Sequence, residues 1–175
     1  MQLRRNQIIL FVSVLVAATT AWWYFQGREA MAIAQFMRRT ARLRDIQLAA
    51  RLYDVNTGGG YPHLMAELID RNYLEPAAFG LPPDWSAGAA DSTMLLDGGR
   101  VQKVGDFWFA PLRQPARSGD IVFGWARWEE RDEWALLYED GHFESIHGDP
   151  SAAFEREAAS RQRLGLPAYS WNPDL

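Results

Sequence analysis

Few side chains in this 175-residue chain are equipped for chemistry. There are three histidines, His63, His142 and His147, and no cysteine, which removes disulfides, thiolate metal sites and a Cys nucleophile. His142 and His147 sit with Asp140 and Asp149 in DGHFESIHGD, the one cluster whose residue types suit zinc or iron. Strand alternation works against such a site, because His142 shares a face with Glu144 and Ile146 while His147 falls opposite. A hairpin tip formed by Asp140, Gly141 and His142 is therefore the expected role. Ser118 and Ser145 lack a G-x-S-x-G context, and no D-x-D-x-D-G run offers a calcium loop. The acids Glu129-Glu130 and Asp132-Glu133 fall in a turn and read as solvated. No catalytic, cofactor or metal residue is assigned. The formal net charge of -4, with pI near 5.4, gives no electrostatic footprint for nucleic acid.

The elements that position the tip follow from turn chemistry. Asp140-Gly141 is a two-residue hairpin signal between Leu136–Tyr138 and Phe143–Ile146. Thr93–Leu96 and Val101–Val104 form a second hairpin around Asp97-Gly98-Gly99, and Asp106–Ala110 gives a further strand ended by Pro111. Ile121–Trp128 and Glu133–Tyr138 pair across the charged turn 129–132. Short strands joined by tight turns predict an antiparallel sheet. Trp108, Trp125, Trp128 and Trp134 are expected to fill its core against sheet or spine, ahead of the rival reading, an aromatic carbohydrate platform. Ser151–Leu164 reads as an amphipathic helix with Asp149-Pro150-Ser151 at its start, followed by a strap over Leu166–Leu175 pinned by Trp171.

At the other end, Ile8–Phe25 carries no charge and follows Arg4 and Arg5. Eighteen helical residues reach roughly 27 Å, close to the hydrocarbon thickness of a bilayer, and Trp22, Trp23 and Tyr24 suit an interfacial belt. A cleavable signal is the rival, but Trp-Trp-Tyr-Phe stands where small residues would be needed. Beyond it, Phe36, Leu43, Ile46, Ala50 and Tyr53 recur along one helical face, with Arg38, Arg39, Arg42 and Arg51 mostly opposite and read as solvated. If Gly27 does not break the helix, span and stripe form one rod of ~70 Å. Asn56-Thr57-Gly58-Gly59-Gly60 ends it with a left-handed cap, and no GK[ST] or preceding strand supports a phosphate loop. Pro62 holds Tyr61 extended, after which Leu64, Leu68 and Ile69 begin a short helix that Pro76 closes off.

The layout of Tyr53, Asn56, Gly60, Tyr61, Pro62, Leu64, Leu68, Tyr73, Leu74 and Pro76 resembles the type IV pilin-like family, especially the pseudopilins of type II secretion. The stretch around Asp140-Gly141-His142 is similar to the Asp-Gly-His hairpin near the end of many bacterial pilin-like proteins. Together the two frame Ile8 to Pro150. The resemblance implies an α+β fold in which a transmembrane helix continues as a spine against an antiparallel sheet, here with a short C-terminal helix. It divides the chain into a basic stub (1–7), a span (8–25), a spine (26–56), a head (57–150) and a helix with strap (151–175). The start, RRNQIILFVSVLV, has neither the Gly cleavage site nor the Glu of processed pilins, which points to a retained anchor rather than a filament subunit. The function this implies is non-enzymatic. The protein would be fixed in the lipid bilayer of a bacterial inner membrane through Ile8–Phe25, with its amino terminus cytoplasmic and its head periplasmic. It would meet pilin-like or secretion subunits through a helix face including Phe36, Leu43 and Ile46. An accessory subunit of another membrane complex, binding through a Trp-rich head, is the alternative, and a tethered hydrolase or metalloenzyme around His142 and His147 the third reading.

Overall fold

Helix α1 runs from Gln2 to Thr57 without a break at Gly27, where an added Cβ would meet nothing. The computed structural model describes residues 2–85, 93–97, 100–110, 112, 116 and 118–169, with side chains from residue 17 onward. The turn glycines 98 and 99, Pro111 and the strap beyond Tyr169, Trp171 included, lie outside the described residues. Two compact units are present, Met1–Arg38 and Arg39–Leu175.

The first unit is helix alone. Trp22, Trp23, Tyr24 and Phe25 are all exposed, the two indoles meeting edge to face at 6.4 Å, and the Arg28 guanidinium lies 5.8 Å from the Tyr24 ring. Phe36 is half-buried. Among the described residues no helix is long and apolar enough to cross a membrane. The side chains of 8–16, the first half of the apolar run, lie outside them.

The second unit is an α+β head built on a six-stranded antiparallel sheet in sequential order. Its strands are β1 (Thr93–Leu96), β2 (Val101–Val104), β3 (Phe107–Phe109), β4 (Val122–Trp128), β5 (Glu133–Tyr138) and β6 (Phe143–His147). Before the sheet come α2 (Glu67–Asp70) and a 3-10 turn over Pro76–Phe79; after it comes α3 (Ser151–Arg163). The expected strands and hairpins are thus present. Pro76, expected to close a helix, instead opens the 3-10 turn. α3 has Pro150 at its cap, and Asp149 accepts the Ser151 N–H at 2.9 Å.

The inner strands β2–β5 are buried on both faces, and alternation assigns each residue to one of them. Toward α1 it presents Val104, Phe107, Phe109, Phe123, Ala126 and Leu137, packed with Leu43, Ile46, Ala50, Tyr53 and Leu68. Toward α3 it presents Val101, Val122, Trp125, Trp134, Leu136 and Tyr138, packed with Ala153 and Phe154. In β4 the register slips between Val122 and Gly124, so Phe123 is an extra residue against β5. That bulge lets Phe123 and Gly124 both lie on the α1 side. Gly124 stands opposite Phe109, whose ring occupies the space of a side chain: a Cβ there would come within 2.8 Å of Phe109 Cδ1 and of the Trp108 carbonyl.

Two expectations about α1 require correction. Leu43 and Ile46, assigned to a partner-binding face, are 0% exposed and belong to the head's own core. They are spent on the sheet because, with Ala49, Ala50 and Tyr53, they form the apolar cover that α1 gives its phenylalanine face. Arg39 and Arg51 are not on a solvated side: Arg39 Nη1 donates to the Arg127 carbonyl at 3.3 Å and Arg51 Nη2 to the Glu139 carbonyl. The head therefore begins within α1, at Arg39, rather than at residue 57.

The reversal into β3 is the tightest backbone approach. Gly105 adopts φ +56, and a Cβ on it would lie 1.9 Å from the Phe79 carbonyl oxygen, which already accepts the Asp106 N–H at 3.0 Å. Gly105→Ala is expected to cost about 3 kcal/mol or more, through both left-handed strain and displaced backbone. Gly165→Ala, at φ +65 with open space around it, should cost about 1 kcal/mol. Urea unfolding of the full chain in mild detergent compares the two; equal costs would contradict this account of the turn.

Candidate functional site

The hairpin between β5 and β6 carries one of the buried polar corners of the head. Its turn is built locally: Asp140 Oδ1 accepts the His142 N–H at 3.0 Å and approaches His142 Nδ1 at 2.6 Å, and Gly141 takes φ +97. The His142 ring stacks on Tyr138 at 4.2 Å with 6° between planes. The Tyr138 hydroxyl donates to Glu144, which also receives the Arg156 guanidinium at 2.9 Å. Hydrogen bonds from the His142 backbone hold the Asp140 carboxyl below its usual range, and the Tyr138 hydroxyl does the same for Glu144. A polar recess of about 160 Å³ lies here, lined by Gly119, Asp120, Tyr138, His142, Glu144 and Arg156.

From below, α1 and the Tyr-Pro segment clamp this turn. Gln47 Nε2 donates to the Tyr138 carbonyl at 2.8 Å, and Arg51 donates to the Glu139 carbonyl. The Tyr61 hydroxyl donates to Glu139 Oε2 at 2.8 Å. Glu139 is 0% exposed, and its Oε1 has no hydrogen-bond partner among the described residues. Burial pushes its carboxyl up to about 6, with Glu157 adding to the rise and Tyr61, Arg51 and Arg161 opposing it. The Tyr61 hydroxyl is raised by burial and by the carboxylate beside it. A second glutamine fixes the Tyr-Pro segment to β2: Gln102 Oε1 accepts the Met65 N–H at 2.9 Å and Gln102 Nε2 donates to the His63 carbonyl at 2.7 Å.

Across the sheet the same corner holds a buried ion pair. Glu157 and Arg161 of α3, at 1% and 3% exposure, meet at 2.8 Å. Glu157 Oε1 also accepts the Val122 N–H at 3.1 Å, and the Tyr169 hydroxyl donates to Oε2. Arg161 reaches the carbonyls of Pro167 at 3.0 Å and Ala110 at 3.1 Å. Its guanidinium lies 4.6 Å from the Tyr169 ring, which stacks on Trp125. Burial raises the Glu157 carboxyl, against the pull of Arg161 and Tyr169.

The structure brings together residues that sequence spacing kept apart. Tyr61 of the Tyr-Pro turn and Glu139 of the hairpin, 78 positions distant, touch. Around them Tyr53 is buried and its ring meets Tyr73 at 5.6 Å, the exposed Asn56 donates to the Tyr73 hydroxyl at 3.2 Å, Gly60 takes φ +87 and Pro62 is buried. The His cluster does not assemble. His142 precedes β6, whereas His147 ends it opposite Glu133, and Asp149 is engaged by Ser151. Five positions of extended chain would set the Cα atoms of His142 and His147 about 16 Å apart. Among the described residues no group of three His, Asp or Glu could hold a metal ion. Ser145 donates to Glu133 and Ser118 accepts the Asp120 N–H. Gln47, Arg51, Glu139, Glu157 and Arg161 were not singled out from sequence. The available signal was the step of four that sets Gln47 and Arg51 beside Leu43 on the edge of the buried stripe.

The tryptophans are core fillers, as expected: Trp125, Trp128 and Trp134 are each at most 5% exposed, Trp125 and Trp134 pack on the α3 side, and Trp108 is half-buried against the same cluster. Compared with known proteins, the chain matches no family model, no curated protein and no solved structure.

Removing one member of the α3 ion pair leaves the other charge buried. Arg161→Met is expected to destabilise the head by about 3–5 kcal/mol, and Glu157→Gln combined with it should restore part of the loss. Denaturant unfolding of the single and double variants reads the coupling; strict additivity would show that the two side chains do not act as a pair.

Proposed function

We propose that this chain is a membrane-anchored, pilin-like structural protein that associates with pilin-like or secretion-assembly subunits through α1, with no catalytic role. The observation that carries the reading is the division of α1 into two sides within the head. One side is consumed by the core through Leu43, Ile46, Ala50 and Tyr53. The other keeps Leu48, Leu52 and Val55 more than half exposed, at the four- and three-residue steps of a single helical face. Leu48 and Leu52 border a shallow groove of about 520 Å³, completed by Arg42, Asp45, Tyr73 and Leu74. Scattered exposed apolar residues need no explanation, but three in register beside a groove suit a helix-in-groove contact. Anchorage rests on the uncharged run Ile8–Phe25 and its aromatic end. The Tyr-Pro return and the Asp-Gly-His tip support the family likeness, since the two motifs meet at Tyr61 and Glu139.

The burial of Trp125, Trp128 and Trp134 favours a contact through α1 over the Trp-rich head of the accessory-subunit alternative. The partner-binding face moves accordingly from Phe36, Leu43 and Ile46 to Leu48, Leu52 and Val55. Affinity capture of the full chain from solubilised bacterial membranes should recover pilin-like or secretion components. Leu48→Lys with Leu52→Lys should reduce that recovery at least tenfold while leaving the thermal midpoint within a few degrees of wild type. Undiminished recovery of the same partners by the double variant would remove α1's outer face from the proposal.

A further inference from the structure

The buried Glu139 carboxyl has little to support its charge. One oxygen receives the Tyr61 O–H at 2.8 Å and, among the described residues, the other has no partner. The nearest guanidinium, Arg51, is directed at the backbone carbonyl of Glu139 rather than at its carboxylate. A buried carboxylate so served lacks the hydrogen bonds and paired cation that ionisation in a dry site requires. The residue is also mechanically placed. Its N–H donates to the Ile121 carbonyl at 2.7 Å, its own carbonyl is held by Arg51, and the preceding carbonyl, Tyr138, accepts from both Gln47 and Gly141.

We propose that Glu139, with Gln47, Arg51 and Tyr61, forms a proton-operated latch: a proton on Glu139 tightens the hold of α1 on the hairpin tip, and its loss loosens that hold. The charged and titratable groups facing Glu139 are Arg51 of α1, Tyr61 of the Tyr-Pro segment, and Glu157 and Arg161 of α3. Arg51 and Arg161 favour the ionised carboxyl, Glu157 disfavours it, and burial outweighs them all, leaving the group titrating at about 6. The unfolded chain gives up this proton near 4.5, so between pH 4.5 and about 6 the folded chain binds more protons than the unfolded one. The latch is therefore firmest below that window. It weakens as pH rises through it and levels off above, a change of roughly 30-fold in the folding equilibrium.

The test uses the full chain in mild detergent, labelled with ¹³C at glutamate carboxyls, the Glu139 resonance being the one lost in Glu139→Gln. Its titration midpoint is expected near 6; a midpoint near 4.5 would overturn the proposal. Amide exchange supplies the mechanical reading. Relative to Glu139→Gln, wild-type protection at the Glu139 and Gly141 amides should fall at least tenfold between pH 5 and 7.5, and a constant ratio would overturn it. Other carboxyls cancel in that comparison. Should Glu139→Gln not fold, Tyr61→Phe serves: losing the hydroxyl that supports the charged form moves the midpoint upward, and an unmoved midpoint counts against the latch.

Discussion

The head is organised around one buried carboxyl and the groups that hold it. Glu139 ties together α1, the Tyr-Pro segment and two strands, through Arg51, Tyr61 and the Ile121 carbonyl. Each of these hydrogen bonds contributes only about 1 kcal/mol net, yet breaking any one strands a buried donor or acceptor at a greater cost. The consequence is positional. α1 meets the sheet mainly through nondirectional apolar contacts, which would tolerate sliding along the phenylalanine face. Gln47 and Arg51, one helical turn apart, grip successive carbonyls of one hairpin and so fix where along α1 the sheet sits. Gln102 does the same for the His63–Met65 backbone.

The two faces of the sheet solve different problems. Facing α1, Phe79, Phe107, Phe109 and Phe123 pack edge to face or tilted, and the bulge at Phe123 with a side-chain-free Gly124 makes room for the Phe109 ring. Facing α3, the larger Trp125 and Trp134 cover more sheet per residue, and a helix of thirteen residues suffices to seal them. Arg161 passes through this aromatic layer beside Tyr169 and ends on carbonyls, which lets a cation serve inside a core.

What could be read from sequence follows the range of the forces involved. The hairpins at 93–104 and 133–147 and the helix stop at Gly58 were legible because Gly and Asp-Gly dictate local dihedrals. The apolar stripe Leu43, Ile46, Ala50 and Tyr53 was legible because helical periodicity is local as well. Its occupant was not: periodicity shows that a face will be covered without showing whether by the chain's own sheet or by another protein. The clamp was hidden for a related reason. Arg51 and Gln47 act on carbonyls 88 and 91 residues away, and beside Arg38 and Arg42 an arginine at position 51 reads as one more solvated charge. His142 and His147 misled in the opposite sense, their closeness in sequence becoming separation along a strand.

The start of β4 shows why the head behaves as one unit rather than two layers. The Ile121 carbonyl just before it is held by the Glu139 backbone and its Val122 N–H by the Glu157 side chain, so the two ends of one peptide group are tied to the residue after β5 and to α3. Burial and the Glu157 carboxyl raise the affinity of Glu139 for its proton, while Arg51 and Arg161 oppose them. Two acids and two guanidiniums bring the formal charge of this corner to zero, but the pairing is unequal. Arg161 meets Glu157 directly and Arg51 leaves the Glu139 carboxyl to Tyr61. The corner thus has a rigid half, where charge is matched and hydrogen-bonded, and a half whose charge depends on pH. That asymmetry places the adjustable contact between α1 and the hairpin, leaving the α3 side as a fixed support.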